Sequence, residues 1–124
     1  MSELAFIERV ADATQISDDV AEALVEGTLR TLARRISGGE AEDLAQRIPL
    51  RLRPFVFKIR ENAEVFSYRE FIDRVAEYAD VDNATAERGV AAVMRALGDE
   101  VGAKQLSDTL AQLPKEFAQL TGRR

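Results

Sequence analysis

The heptapeptide Phe6-Ile7-Glu8-Arg9-Val10-Ala11-Asp12 returns 65 positions later as Phe71-Ile72-Asp73-Arg74-Val75-Ala76-Glu77. The two differ only by exchange of one acid for the other, so charge and apolar spacing are both kept. Extended outward, the same offset aligns residues 6–55 with 71–120 without a gap, and 12 of the 50 pairs are identical. Identities beyond the heptapeptide include Ala21 with Ala86, Val25 with Val90, Leu32 with Leu97 and Pro49 with Pro114. A fixed offset of this kind is the mark of a duplicated supersecondary unit.

Each copy reads as helices separated by caps. Phe71, Ile72, Val75 and Ala79 recur at helical spacing, as do Phe6, Ile7, Val10 and Ala13, and Ser67 with Glu70 forms a capping-box pattern ahead of the second stripe. Ser17 and its counterpart Asp82 stand where an N-cap is wanted, each before a longer run. Those runs carry Val20, Leu24, Leu29, Leu32 and Ile36 in one copy and Val90, Val93, Met94, Leu97 and Val101 in the other, the apolar faces of two central helices.

Ser37-Gly38-Gly39-Glu40 then combines a helix stop with another capping-box pattern. Leu44 and Ile48 lead to Pro49, and Leu106, Leu110 and Leu113 lead to Pro114; each proline can open a short closing helix. The nearest approach to a strand, Pro54 to Arg60, would have no partner, and Leu52, Phe55, Val56 and Ile59 also fit a helix. The expected fold is therefore all-α, a compact helical bundle of two tandem three-to-four-helix repeats related by a pseudo-twofold axis. The expected boundaries are one domain over 1–124, with repeat one at about 3–55, a linker at about 56–66 and repeat two at about 67–120. A unit of about 50 residues has a marginal core alone, so the copies are expected to bury their apolar faces against each other.

Composition narrows the chemistry. The 124 residues are 46% hydrophobic, which suffices for a real core, and the net charge of -5 disfavours a protein that coats nucleic acid or anionic membranes. Neither cysteine nor histidine occurs, which removes disulfides, thiolate nucleophiles, the usual base for an activated serine and the two commonest zinc ligands. The amino-terminal segment is broken by Glu3, Glu8, Arg9 and Asp12, so no secretory signal is expected and a soluble cytoplasmic protein is.

Several ordered motifs resemble a known family: Phe-Ile-x-Arg-Val-Ala at 6–11 and 71–76, Gly38-Gly39-Glu40-Ala41-x-Asp43-Leu44-Ala45 running to Ile48-Pro49, and Gln112-Leu113-Pro114-Lys115-Glu116-Phe117. The chain is similar, over nearly its whole length, to the prokaryotic domain-of-unknown-function family 2267. The resemblance implies a helical fold without an assigned activity and brings no catalytic or binding residues. The stretch after Pro49, with Arg51, Arg53 and Pro54, departs from it by being more basic.

Charged residues kept in both copies are Arg9 with Arg74, Glu22 with Glu87, Arg30 with Arg95 and Asp43 with Asp108. They read as structural ion-pair residues, since arginine's fork suits carboxylates and its stem covers apolar surface. Asp18, Asp19, Glu40, Glu42 and Asp43 read as helix-start acids, with no calcium-loop spacing. The remaining candidate is the junction of the copies, where Arg47, Arg51, Arg53, Lys58 and Arg60 alternate with Phe55 and Phe57 and no acid intervenes between Leu44 and Arg60. Such a stretch can contact a partner or hold phosphates, although its apolar residues also fit a buried face.

A non-enzymatic protein-interaction module, self-associating or binding a protein partner, fits these features best. The alternatives are nucleic-acid binding through Arg47 to Arg60, and a small-ligand binder or enzyme that uses arginines and carboxylates between the repeats. No catalytic residue, cofactor, metal or membrane partner is expected.

Overall fold

Ser2, Ser17, Ser37, Ser67 and Asp82 each stand just ahead of a helix, with a side-chain oxygen accepting from the backbone N–H three residues on. These caps satisfy donors that a helix leaves open at its start. The computed structural model describes residues 2–57 and 62–120. In chain order the described elements are α1 (Glu3–Thr14), α2 (Asp18–Arg35), α3 (Gly38–Ala45), a 3-10 helix (Leu50–Val56), α4 (Tyr68–Ala79), α5 (Asn83–Val101), α6 (Ala103–Leu110) and α7 (Glu116–Leu120). No strand occurs among the described residues.

Helix bounds recur at the sequence offset. α4 begins and ends 65 residues after α1, and α6 does so after α3. Gln15 and Asp80, also 65 apart, end α1 and α4 in the left-handed conformation, with φ of 59° and 56°. Gly102, with φ of 93°, joins α5 to α6 where Ser37 joins α2 to α3, a conformation suited to glycine.

The long helices α2 and α5 lie at the centre. α2 packs on α1, α4, α5 and the 3-10 helix, and α5 adds α6 and α7. One core links both halves: Phe6, Leu24, Leu29, Leu32 and Ile36 from the first and Phe71, Val90, Met94, Leu97 and Phe117 from the second are all completely buried. Leu24 and Gly89, 65 residues apart, are in contact; a Cβ on Gly89 would lie 2.7 Å from a Leu24 methyl. α7 is seated by Phe117, whose ring meets Phe71 at 4.8 Å and Tyr68 at 5.2 Å, both edge-on.

Three local expectations change. Ser37 caps α3, but the Glu40 carboxylate does not return to its backbone. It is buried across the molecule against Gln105 and Thr109 of α6, while the Ser37 N–H donates to Gln112 at 2.8 Å. A tertiary partner has replaced the local one. Pro49 stands just before the 3-10 helix and Pro114 two residues before α7, outside rather than at the first helical residue, and Pro54 lies within the 3-10 helix. Pro54, inside this segment, lacks the N–H that an α-helix would bond to the Leu50 carbonyl and its ring crowds that carbonyl, which disfavours an α-helix here.

Candidate functional site

Arg30 and Arg34 lie one turn apart on α2, and Arg74 and Tyr78 one turn apart on α4, so each pair projects from one face of its helix. The two faces meet because Gly27 permits close approach: a Cβ there would sit 2.9 Å from the Tyr78 ring. Tyr78 can therefore lie flat against α2. Its hydroxyl accepts from Arg30 Nε at 3.2 Å and donates to Glu26 at 3.0 Å. The Arg30 guanidinium lies within cation–π distance of two rings, Phe55 at 4.9 Å and Tyr78 at 5.8 Å from the ring centres.

These groups line an open cleft of about 890 Å³ together with residues 62–64. The backbone there is fixed by the Glu64 N–H, which donates to the Arg34 carbonyl at 2.8 Å. Each oxygen of the Glu64 carboxylate is taken by a different arginine, Oε2 by Arg34 at 3.1 Å and Oε1 by Arg74 at 3.3 Å. Arg74 also binds Glu70 at 2.9 Å and lies 3.9 Å over the Phe66 ring. Partial burial works to raise the Glu64 pKa, but hydrogen bonds and charge from Arg34 and Arg74 outweigh it and hold the carboxyl below its ordinary range. Hydrogen bonding to Glu70 and Glu64 pushes Arg74 further up against an opposing desolvation. Among the described residues, Glu64 is the sole acid in the lining, against three arginines.

The family-model comparison matches residues 4–120 to DUF2267, described as an uncharacterized conserved protein. The chain belongs to the DUF2267 family. No curated protein matches it.

In this DUF2267 chain the residues singled out by duplication do not converge on one centre. Arg9 pairs with Asp99 of α5, Arg74 with Glu64 and Glu70, and Asp108 with Lys104 at 3.2 Å. Glu87 instead accepts from the Tyr68 hydroxyl, and Arg30 is held by Tyr78 and the Phe55 ring. Glu22, Asp43 and Arg95 are exposed and form no ion pair among the described residues, because their helix faces point to water. Arg9, Arg74 and Asp108 thus form ion pairs, each with a residue outside this set of eight.

Of the basic junction, Arg47, Arg51 and Arg53 are exposed and without an ion pair among the described residues, while Leu52 and Val56 are buried beneath them. Phe55 is half-buried in the cleft wall and Phe57 stands 74% exposed at its lip. Lys58 and Arg60 lie outside the described residues. Sequence reading passed over Arg34, Tyr78 and Glu64; the i, i+4 spacing of Arg30 with Arg34 and of Arg74 with Tyr78 was the available signal for the first two. Among the described residues no group of acids is placed to hold a metal ion, and no helix is long and apolar enough to cross a membrane.

Proposed function

We propose that this chain is a non-enzymatic protein-interaction module that docks its partner at the mouth of the cleft between α2, α4 and the 3-10 helix. The observation that carries this reading is Phe57, a large apolar ring left 74% exposed beside three arginines and the exposed edge of Tyr78. Aromatic and arginine side chains together are the composition of binding hot spots. The absence of histidine and cysteine from the sequence supports a binding role over acid–base or nucleophilic chemistry. We also infer a pseudo-twofold relation between the copies, supported by the self-contacts of Leu24 with Gly89 and of Glu40 with Gln105.

The test compares the wild-type chain with Phe57→Ser. Size-exclusion chromatography with light scattering and affinity capture should reveal self-association or a partner that the variant loses at unchanged melting temperature. A strictly monomeric chain without any partner, or a partner retained in full by Phe57→Ser, counts against the reading.

A further inference from the structure

The Glu64 carboxylate is a ligand already seated. Its two oxygens are divided between guanidiniums from two separate helices, and its side chain is still 47% exposed. The backbone beneath it is tied to Arg34 independently of the side chain, so the carboxylate can swing out without moving the chain. A carboxylate presented from outside would then meet the same two forks. Arg30, beside Phe55 and Tyr78, has no acceptor for its terminal nitrogens among the described residues and adds a third cation to the same lining.

The rim indicates what else the ligand carries. Phe57 stands exposed at one lip, and Val65, next to Glu64, is 89% exposed. In the chain itself Glu64 is followed by two apolar residues, Val65 and Phe66, the latter with its ring under Arg74. We propose that the cleft recognises an acidic polypeptide segment in which a glutamate or aspartate is followed by apolar residues, and that Glu64 occupies the site as an internal competitor until such a segment displaces it. This rests on the interaction-module reading and specifies its partner. The net charge of -5 on the chain works against a polyphosphate, whose many charges gather long-range repulsion, more than against one carboxylate with apolar neighbours.

The probe is a fluorescein-labelled peptide of two Glu-Val-Phe repeats, followed by fluorescence anisotropy against wild type, Glu64→Gln, and Glu64→Gln combined with Arg34→Gln. Exposed ion pairs are weak, so removing the internal carboxylate should tighten binding by about three- to tenfold. Adding Arg34→Gln should return affinity to the wild-type level or below. A Gln-Val-Phe control peptide should not bind, and circular dichroism with thermal melting checks that all variants fold. Equal or weaker binding by Glu64→Gln overturns the proposal, as does equal binding of the control peptide or displacement of the probe by a single-stranded oligonucleotide at lower concentration. A partner lost by Phe57→Ser but indifferent to Glu64→Gln would leave the interaction module standing and remove the carboxylate site. Loss of both responses would remove both.

Discussion

Gln105 of α6 donates from Nε2 to the Glu40 carboxylate of α3 at 2.7 Å, with both side chains buried. Thr109 donates to the same Oε2 at 2.5 Å, so a buried charge is held by neutral donors across the two halves. An uncompensated buried carboxylate is expensive, and removing one donor exposes that cost. Thr109→Val should therefore destabilise by about 1–3 kcal/mol, lowering the melting temperature by about 4 °C per kcal/mol for a chain of this size. Replacing all three groups at once, with Glu40→Met, Gln105→Leu and Thr109→Val, should cost less than Thr109→Val alone. Urea unfolding of both variants checks the order; equal stability of wild type and Thr109→Val would dismiss the clamp.

Arg35, which no motif distinguished, joins three segments through the chain's own carbonyls. Its Nε donates to Phe66 O at 2.9 Å and its Nη1 to Gln112 O at 2.8 Å, fastening the end of α2 to the segment before α4 and to the turn before α7. A lysine has the charge but not the fork. Arg35→Lys should lose about 1–2 kcal/mol in chemical denaturation, as expected for charge-assisted bonds. Amide exchange should accelerate at residues 62–66 and in α7 and remain unchanged in α1. Uniform acceleration along the chain would contradict a local fastening role.

The Glu64 clasp also has a pH signature. Its folded-state pKa lies below the ordinary 4.5, so the clasp contributes stability that is fully present above that value and is lost as pH falls through the folded pKa. Because the side chain is about half exposed, solvent screening limits the contribution to about 1 kcal/mol or less. Wild type should exceed Glu64→Gln in stability at pH 7 by that amount, and the two should draw together as pH falls from 4.5 through the folded pKa. Paired urea titrations from pH 7 downward measure it; a difference that does not shrink as the pH falls would assign the effect to packing.

Helices and caps were legible in the sequence because they depend on neighbours three and four residues away. Ser17, Ser37, Ser67 and Asp82 cap as their positions predict. The site was not legible for a related reason: Glu64 meets Arg34 and Arg74 only after α2 and α4 have packed, and no spacing encodes that encounter. The 65-residue offset did not disclose the partners either. Arg9 and Arg74 lie 65 residues apart, yet one bridges to α5 and the other holds Glu64 and Glu70, because different residues surround them. Glu40 shows the same limit from the other side, since its capping pattern is real but a buried partner competes more strongly.

Where α2 crosses α5, the missing side chain of Gly89 receives Leu24, whose methyls lie 2.7 and 2.8 Å from the place a Cβ would take. Leu24 is completely buried and cannot step aside into water. Gly89→Ala should therefore destabilise by about 1–3 kcal/mol, the cost of overpacking, despite alanine's better helix propensity. Leu24→Ala alone should cost about 2–5 kcal/mol through its cavity. Combined, the alanine at 89 no longer meets a leucine, so the double variant should be more stable than the sum of the singles predicts by at least about 1 kcal/mol, the coupling expected of residues in direct contact. Additivity in a double-mutant cycle would mean that the two helices are not held at this distance.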